Sequence, residues 1–509
     1  MASPRILIVG AGFGGIAAAI ELRRHGFQDV TILEAAPDLG GTWFYNSYPG
    51  AACDVPSHLY SFSYEQRRSW SRLCSPRDEI HRYLRDVADA HGVSSLIRFS
   101  QRVADCVFQE AAGRWRVTVE GGGTYEAEVV VLATGQLNRP SIPSLPGLER
   151  FAGHSFHSAR WDHDYELAGK RVAVVGTGAS AVQFVPEIAP LVERLTVFQR
   201  TANWLLPRHN HVYPPRLRAI IADVPGLQPV RRALLFGLLE ILTASIRHPR
   251  TVGRLFAPRS ERFMRSQLPD PELRRKAWPD YTFGCKRVLF SSHYLPALDR
   301  PNVDLITEPI AEVTETGLRT GDGAHHEVDC IIWGTGFKVS EFVAPMDVRG
   351  SGGRRLADVW AGGAHAHLGM AVPGFPSLFF MYGPNTNTSG GSIIYYLEAQ
   401  ASYIRKAVQH LRDGGYAGVE IRPEVEAASD RETQARFAGT AWLDCSSWYQ
   451  DQDGQGRIVA NWPGYQAQYR RRTREFRPAE FVFTPRDGRG GARTGAAPSG
   501  QTTASTAPG

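Results

Sequence analysis

The sequence predicts an α/β fold with two parallel, Rossmann-like sheets, because one local pattern occurs twice along its 509 residues. In each copy a short apolar run, typical of a buried strand, leads into a glycine-rich turn and then into a helical periodicity. A second apolar run closes each copy. Strand, turn, helix and strand in this order form a βαβ unit, whereas a glycine-rich turn alone is common and indicates little.

The first copy begins at residue 5 with RILIVGAGFGGIAAAIELRRHG and continues into VTILE. Its turn carries Gly10, Gly12 and Gly15, and Gly26 is placed to end the helix. The first glycine permits the tight turn, the second lets a pyrophosphate approach the backbone, and the third lets helix and strand pack closely. Because the helix N-terminus faces this turn, the copy is predicted to bind the phosphates of a dinucleotide.

The second copy begins at residue 170 and reads KRVAVVGTGASAVQFVPEIAPLVERLTVFQR. Gly176, Gly178 and Ala181 repeat the spacing of the first turn. A small residue at the third position still lets the helix pack against the strand. The chain is therefore predicted to bind a second dinucleotide.

The residue that ends the second strand differs between the copies. Glu34 stands 24 positions after Gly10, and Arg200 stands 24 positions after Gly176. A carboxylate here accepts a hydrogen bond from a free ribose 2′-hydroxyl, whereas an arginine binds a 2′-phosphate. The first copy is predicted to hold FAD or NAD and the second NADPH, with Thr201 as an additional donor. The alternative for Arg200 is an exposed arginine at a strand end.

Two dinucleotides in one chain indicate hydride transfer between cofactors, so the first is predicted to be FAD. Two later apolar runs, EVVVLATGQ and VDCIIWGTGF, each end in Thr-Gly. We interpret them as crossings between the two nucleotide-binding domains, with ordinary strand ends as the alternative. The predicted segments are an FAD-binding domain at 1–138 and 339–485, an NADPH-binding domain at 139–210 and 284–338, an insertion at 211–283 and a disordered tail at 486–509.

Composition is that of an ordinary globular protein, with 43% hydrophobic and 21% charged residues. The formal charge is +6, but much of the basic excess lies in local clusters, and no nucleic-acid-binding motif is present. The apolar run ALLFGLLEILTASI at 233–246 contains Glu240 and is shorter than the roughly 20 residues that span a bilayer. We therefore expect a buried or interfacial helix there, no transmembrane segment and a cytoplasmic location.

The six cysteines are far apart and include no C-x-x-C pair, so the sequence indicates neither a zinc site nor a dithiol centre. Most are expected to be small buried apolar residues. From about residue 485 onward the chain is mainly Gly, Ala, Ser, Thr and Pro. Such a segment buries too little apolar surface to offset its ordering entropy, which predicts disorder.

One segment between the two glycine-rich turns has an unusual composition, FAGHSFHSARWD. Its residues fit F-x-G-x-x-x-H-x-x-x-W-[P/D], the fingerprint of type I Baeyer–Villiger monooxygenases, at Phe151, Gly153, His157, Trp161 and Asp162. The chain resembles this family from residue 5 to about residue 480. The resemblance implies that the segment is a hinge between the FAD and NADPH domains.

The resemblance also implies a mechanism and its catalytic residues. In the family, NADPH reduces FAD, the reduced flavin forms a C4a-peroxide with oxygen, and this peroxide inserts one oxygen atom next to a ketone carbonyl. Arg287 in FGCKR matches the catalytic arginine, and Asp54 matches the carboxylate that holds it. Lys286 matches a ligand of the NADPH 2′-phosphate, together with Arg200 and Thr201.

Further site residues follow from the same resemblance. On the flavin side it implies Thr42 and Trp43 near the isoalloxazine, Tyr60 near the flavin and Val103 at the adenine. The segment 211–283 matches a helical insertion of the NADPH domain. Substrate choice is expected to depend on this insertion and on the segment NTSGGSIIYY after Gly383, where Ile393 is expected to line the pocket. The residues that the resemblance assigns to the second glycine-rich turn are Gly176, Thr177, Gly178, Ser180, Ala181 and Gln183.

The predicted function is therefore an NADPH- and O2-dependent flavin monooxygenase that converts a ketone to an ester or lactone, with no metal. One alternative is a flavin-containing monooxygenase that makes S- or N-oxides, although the Trp-Asp pair of the fingerprint argues against it. A flavin disulfide reductase would need a cysteine pair near the flavin. A flavin-binding protein without activity would not need Arg287 or Asp54. The ketone and the oligomeric state do not follow from the sequence.

Overall fold

A computed structural model describes residues 3–388, 390–451 and 456–486. Of the tail predicted at 486–509, all but residue 486 lies outside the described residues. Two parallel five-stranded sheets dominate this part of the chain. The strands are β1 (Ile6–Val9), β2 (Val30–Leu33), β3 (Ile97–Arg98), β4 (Val103–Gln109), β5 (Arg114–Val119), β6 (Thr124–Ala127), β7 (Val129–Leu132), β8 (His154–His157), β9 (Arg171–Val175), β10 (Arg194–Phe198), β11 (Leu205–Leu206), β12 (Leu289–Phe290), β13 (Val303–Ile306), β14 (Ile310–Thr314), β15 (Gly317–Thr320), β16 (His325–Glu327), β17 (Cys330–Trp333), β18 (Asp347–Arg349), β19 (Leu378–Phe380), β20 (Tyr416–Ile421) and β21 (Phe481–Pro485).

Helices flank the sheets and also form a separate group between β11 and β12. The α-helices are α1 (Phe13–Arg24), α2 (Thr42–Tyr45), α3 (Arg77–Ala90), α4 (Ala179–Ile188), α5 (Pro215–Asp223), α6 (Leu227–Arg247), α7 (Arg254–Gln267), α8 (Pro271–Lys276), α9 (Tyr294–Leu298), α10 (Leu356–Val359), α11 (Ile393–Asp413), α12 (Pro423–Ala435) and α13 (Gln466–Arg472). The segment 211–283 contains α5 to α8, in agreement with its expected helical character.

The first sheet has the strand order β19-β7-β1-β2-β3, and all of its strands are parallel. All four residues of β1 are buried, as expected for a strand covered on both faces. On one face Ile6 and Ile8 pack in a core with α1 and α11. On the other face Leu7 and Val9 pack against the sheet of β4, β5, β6 and β18.

The second sheet has the order β13-β10-β9-β17-β8 and is also parallel. One face packs against α4 and α9. The opposite face of β9 and β17 packs against residues of the small antiparallel sheet β14-β15-β16. Each βαβ unit predicted from the sequence thus lies in its own sheet.

The first sheet takes strands from both ends of the chain. β19, which follows the second nucleotide-binding unit in sequence, pairs with β7, with Leu378 opposite Val130. The chain therefore leaves the first sheet after β7 and returns to it after the second sheet is complete. This path has the discontinuous order that the sequence predicts, and the exact domain boundaries stay a prediction.

The cysteines differ from their expectation in one respect. Cys53, Cys74, Cys106 and Cys330 are free and buried, as expected for small apolar residues. Cys285 and Cys445, however, form a disulfide across 160 residues of sequence. This bond is not expected from the sequence, because spacing along the chain identifies only local pairs such as C-x-x-C.

Candidate functional site

A cavity of about 1570 Å³ is lined by both glycine-rich turns. Because the carboxyl ends of parallel strands meet at one edge of a sheet, each turn lies where a Rossmann-like fold binds its ligand. Most of the residues proposed from the sequence line this cavity, and these are Gly10, Gly12, Glu34, Thr42, Trp43, Asp54, Tyr60, Val103, Gly176, Thr177, Gly178, Ser180, Gln183, Arg200, Thr201, Lys286, Arg287 and Ile393. Seven do not, and these are Gly15, Phe151, Gly153, His157, Trp161, Asp162 and Ala181.

The three glycines of the first turn are required for different reasons. Gly10 has φ +107°, and a Cβ there would lie 2.5 Å from the Ala133 carbonyl oxygen. A Cβ on Gly15 would lie 1.9 Å from the Gly10 oxygen, so this glycine lets α1 pack against the turn. A Cβ on Gly12 would meet Gly41 Cα at an ordinary 3.6 Å. The protein itself does not exclude a side chain at Gly12, whereas a phosphate lying against the turn would.

Glu34 lies at the end of β2 with its carboxylate buried. Its Oε2 accepts a hydrogen bond of 2.7 Å from Ala11 N, and its Oε1 accepts one of 2.8 Å from Ala36 N. Burial raises the pKa of this carboxyl group, and the two backbone donors act in the opposite direction. A carboxylate oxygen can accept more than one hydrogen bond, so Glu34 is suited to a ribose hydroxyl.

Aromatic residues form the wall of the cavity next to the first turn. The Trp43 indole nitrogen donates a 3.1 Å hydrogen bond to the Tyr60 hydroxyl, and their rings pack edge to face at 5.7 Å. Thr42 begins the short helix α2, and Val103 begins β4. An apolar wall with a few polar atoms matches what a flat ring system such as isoalloxazine requires.

The second turn is held by its own network. Gly176 has φ +99°, and a Cβ there would lie 2.6 Å from the Gly334 oxygen. The Thr177 hydroxyl donates a 3.1 Å hydrogen bond to the Thr201 carbonyl, and Asn203 Nδ2 donates one of 2.6 Å to the Thr177 carbonyl. These contacts connect the turn to the end of β10.

Cations accumulate near this turn. Burial, and then the charge of Arg200, lower the pKa of the Lys286 ammonium. Its Nζ lies 4.9 Å from the centroid of the Tyr281 ring. Two like charges held together are unfavourable unless an anion lies between them. Arg200, Thr201 and Lys286 therefore have the donor set that a ribose 2′-phosphate needs.

Arg287 and Asp54 come together from 233 positions apart in the sequence. Arg287 Nη2 donates to both carboxylate oxygens of Asp54 at 2.7 Å. The Asp54 charge raises the pKa of the Arg287 guanidinium above its ordinary value, so the group stays cationic. A fixed positive charge thus lies in the wall of the cavity.

Gln183 lines the cavity, and its side-chain amide also forms hydrogen bonds with the loop that follows α2. Its Nε2 donates a 2.9 Å hydrogen bond to the Ala52 carbonyl, and its Oε1 accepts one of 3.0 Å from the Tyr48 hydroxyl. Gln183 belongs to α4, which packs on the second sheet, whereas Tyr48 and Ala52 follow α2. We therefore describe Gln183 as a contact between the two halves, in addition to its proposed cofactor role.

The fingerprint residues surround β8, the edge strand of the second sheet. His157 Nδ1 accepts a 3.1 Å hydrogen bond from Ala159 N, and burial lowers the pKa of the imidazole to about 4. The ring is therefore neutral near pH 7. A Cβ on Gly153 would lie 2.5 Å from the Phe151 ring.

The other two fingerprint residues support the same segment. The Trp161 ring packs at 5.3 Å from that of Phe184 on α4. Asp162 Oδ2 lies 2.9 Å from His154 Nε2. Directly before them in the chain is Arg160, whose guanidinium lies 3.9 Å from the centroid of the Tyr45 ring. Tyr45 lines the cavity. The fingerprint thus contacts the first half of the molecule through Arg160.

Three features of the site are missing from the sequence prediction. Arg102, on the cavity wall, lies near Tyr45 and Glu34, and its charge acts to lower the pKa of both. The Tyr382 hydroxyl donates a 2.7 Å hydrogen bond to Asn387 Oδ1, and both residues line the cavity. The third feature is the segment 446–448, which also lines the cavity. None of them has a local motif that a reading of the sequence could detect.

The disulfide holds the segment 446–448 in place. Cys445 directly precedes it, and Cys285 directly precedes Lys286 and Arg287. A flavin disulfide reductase would need a cysteine pair near the flavin, so the lack of a C-x-x-C motif does not by itself argue against that alternative.

Neither a metal cluster nor a bilayer span appears in the part of the chain that the structure describes. No group of three or more His, Cys, Asp or Glu side chains is arranged there to hold a metal ion. Of the helices described, none combines the length and apolar character that crossing a membrane requires.

Known proteins similar to this chain are monooxygenases. Residues 7–223 match the family model described as pyridine nucleotide-disulphide oxidoreductase. A Baeyer–Villiger monooxygenase of Streptomyces coelicolor is 43% identical over 99% of this chain and 97% of its own length. A steroid monooxygenase structure with NADP bound is 31% identical, with a TM-score of 0.84 over 95% of this chain and 100% of that one. The structure of OTEMO in complex with FAD and NADP is 27% identical, with the same TM-score and coverage.

These similarities confirm the predicted fold class and both predicted cofactors. The aligned region includes both glycine-rich turns, the fingerprint segment and the Arg287–Asp54 pair, since it covers nearly the whole chain. The chain therefore belongs to the Baeyer–Villiger monooxygenase family and is a flavin monooxygenase that uses FAD and NADP.

Proposed function

We propose that the enzyme uses NADPH and O2 to insert one oxygen atom next to a ketone carbonyl, giving an ester or a lactone. The observation that carries this proposal is the cationic Arg287, held by Asp54 in the wall of the cavity. Such a charge stabilises negative charge that develops on oxygen during attack on a carbonyl. Oxidation of a soft sulfur or nitrogen nucleophile has no comparable need.

The two turns would hold the cofactors. The turn from Gly10 to Gly15 and the Glu34 carboxylate are suited to FAD, and Arg200 and Lys286 are suited to the 2′-phosphate of NADPH. When bound, these cofactors supply the hydride and the activated oxygen. The residues of the chain contribute binding, orientation and charge.

Arg287 acts at the substrate carbonyl. Its guanidinium cannot lose its proton near neutral pH, and Asp54 fixes its position. We propose that it donates hydrogen bonds to the carbonyl oxygen as the charge on that oxygen grows. The wall formed by Trp43 and Tyr60 limits access of water, which would otherwise weaken this electrostatic interaction.

The substrate is proposed to be an apolar ketone. The solved relatives include enzymes named for cyclohexanone and for steroids, which are cyclic. Ile393 is the first residue of α11 and lies in the cavity wall, where it provides an apolar contact for such a ring. The expected partners are this ketone and molecular oxygen, with no nucleic acid, and the expected location is cytoplasmic.

The test is a product assay with purified FAD-loaded protein and ¹⁸O2. Linear, cyclic, aromatic and steroidal ketones are compared with a thioether, with NADPH consumption and product mass as readouts. We expect esters or lactones that carry one ¹⁸O atom from at least one ketone class. A thioether sulfoxide as the only oxygenated product would contradict the proposal and favour the S-oxidising alternative.

A further inference from the structure

The solvent-exposed face of α6 is apolar along its whole length. Val230, Leu234, Leu238 and Ile241 are each at least 50% exposed, and Leu234 reaches 70%. Their spacing of three or four residues places them in one stripe on the helix. A surface helix of a globular protein normally points such a stripe toward the core. α6 also packs an apolar side against the core, through Phe236, Leu239 and Ile246, so the outer stripe is a second apolar side that faces water.

Two polar residues of α6 form hydrogen bonds on the same inner side. Arg232 Nη1 donates hydrogen bonds to the carbonyl oxygens of His58, at 2.7 Å, and Ser61, at 3.1 Å. The Glu240 carboxylate accepts a 2.9 Å hydrogen bond from Gln466 N. These hydrogen bonds and the inner apolar contacts hold the helix with its outer stripe toward solvent.

Neighbouring helices enlarge the stripe into a surface, which we call the apolar face. α5 and α7 both contact α6. The apolar face comprises the four α6 residues together with Leu217 and Ile220 of α5, Val224 directly after α5, and Leu255 of α7, all of them exposed. Single exposed apolar residues are normal, but a contiguous group of this kind marks an interaction site.

The charge of the same segment restricts the partner. Residues 211–283 contain thirteen arginines and lysines and six carboxylates, a net charge of +7, whereas the whole chain has +6. The rest of the chain is therefore close to neutral. Exposed arginines follow α6 at Arg250 and Arg254, and Arg216 is exposed on α5.

We propose that the apolar face docks on a membrane surface that contains anionic lipid. A helix with an apolar stripe and flanking arginines lies in the plane of the interface, where the stripe enters the acyl boundary and the arginines contact lipid phosphates. A second copy of the chain fits less well, because the segments 211–283 of the two copies, each with a net charge of +7, would repel each other. This inference does not depend on the reaction that the enzyme catalyses.

The experiment measures sedimentation of the full-length, FAD-loaded protein with vesicles. One set of vesicles is phosphatidylcholine, and the other contains equal parts of phosphatidylcholine and phosphatidylglycerol. We expect the protein to bind the anionic vesicles and to be released from them by high salt, with little binding to phosphatidylcholine alone. Failure to bind the anionic vesicles at low salt would overturn the proposal.

Two double variants separate the apolar and charged contributions. Leu234→Gln/Leu238→Gln is expected to weaken vesicle binding about a hundredfold, and Arg250→Gln/Arg254→Gln roughly thirtyfold. All four residues are exposed, so flavin absorbance and circular dichroism should match the wild type. NADPH oxidation with a water-soluble ketone should also be unchanged.

Matched controls have the same chemistry elsewhere on the surface. Leu191→Gln/Val482→Gln removes two exposed apolar residues outside the insertion, and Arg431→Gln/Arg471→Gln removes two exposed charges. Both controls should bind vesicles like the wild type, and an equal loss in them would overturn the proposal. It would also be overturned if the wild type were a dimer without vesicle affinity and Leu234→Gln/Leu238→Gln made it a monomer.

Discussion

At the scale of single residues, the site consists of charges placed by contacts rather than by local sequence. Arg287 is held by Asp54, and burial together with the charge of Arg200 lowers the pKa of Lys286. The first pair is an ion pair, the second consists of two cations, and we propose a different role for each. One is proposed to act on the substrate carbonyl, and the other to recognise NADPH.

Arg287→Ala separates oxygen insertion from flavin reduction. Because the charge is proposed to act after hydride transfer, the variant should retain FAD and still be reduced by NADPH. Ester formation should fall about a hundredfold or more. Rapid-mixing spectroscopy follows the flavin, and product analysis follows the ester. Asp54→Ala is the comparison, because Arg287 keeps its charge but loses the carboxylate that holds it in position. Its rate of ester formation should lie between those of the wild type and Arg287→Ala. Ester formation by Arg287→Ala at close to the wild-type rate would refute the assignment.

Arg200→Ala tests recognition of the 2′-phosphate. Loss of one charge-assisted hydrogen bond should weaken NADPH binding by about 1.5 to 3 kcal/mol. NADH lacks the phosphate, so its binding should change little. The measurement is the dissociation constant of each cofactor, or KM in the flavin-reduction step. Equal losses for NADPH and NADH would mean that Arg200 does not contact the phosphate.

At the scale of elements, the first turn and the segment 446–448 form the cavity wall in different ways. The turn is shaped by glycines whose missing side chains leave room for backbone or for a ligand. The segment is held by a covalent bond between Cys445 and Cys285. The first is local in sequence, whereas the second joins distant parts of the chain.

Gly12→Ala and Gly10→Ala test this distinction within one turn. A Cβ at Gly12 makes only an ordinary protein contact, so Gly12→Ala should fold but retain FAD about tenfold less well, a loss of about 1.4 kcal/mol. A Cβ at Gly10 would lie 2.5 Å from a carbonyl oxygen at φ +107°, so Gly10→Ala should unfold more easily even without FAD. Thermal unfolding of the FAD-free proteins and flavin content measure the two effects. Equal apoprotein stability of both variants would contradict this reading of the turn.

The disulfide is tested by Cys445→Ser. Removal of a bond that joins residues 160 apart should destabilise the fold by about 2 to 4 kcal/mol. Thermal unfolding with and without dithiothreitol provides an internal control. The reductant should lower the stability of the wild type to that of the variant and leave the variant unchanged. A wild type insensitive to the reductant would show that Cys285 and Cys445 are not paired in solution.

At the scale of the whole molecule, two parallel sheets share one cavity, and polar contacts connect the two halves. Gln183 binds Ala52 and Tyr48, and Arg160 packs on Tyr45. These contacts set the position of one cofactor site relative to the other. Productive transfer between the cofactors requires this geometry to hold.

Gln183→Ala should weaken the coupling between NADPH oxidation and oxygen insertion, while both sheets remain folded. It removes three hydrogen bonds between the halves, each of about 1 kcal/mol. We expect FAD content close to that of the wild type and severalfold more hydrogen peroxide per NADPH consumed. Gln434→Ala is the matched control, because it removes a hydrogen bond that the Gln434 side-chain amide donates to the Ile458 carbonyl. This variant should not change the ratio of hydrogen peroxide to NADPH consumed. An unchanged peroxide yield in Gln183→Ala would show that this contact does not govern coupling.

Features encoded within a few tens of residues could be predicted from the sequence. Each glycine-rich turn, its strand and its helix are such a unit, because turn geometry and strand burial depend on neighbours along the chain. Glu34 and Arg200 could be assigned for the same reason, since each has a fixed distance from its turn. The family, the fold class and the two cofactors followed, and the comparisons confirm all three.

Tertiary structure alone decided the contacts between distant segments. The sequence of α6 is apolar on two sides, and which side faces water depends on the partners that its residues find elsewhere, including those of Arg232 and Glu240. The pairing of Cys285 with Cys445 likewise depends on two loops meeting in space. A local pattern specifies an element and its faces, whereas only the packed chain determines which face is covered, because burial is a property of the surfaces that meet.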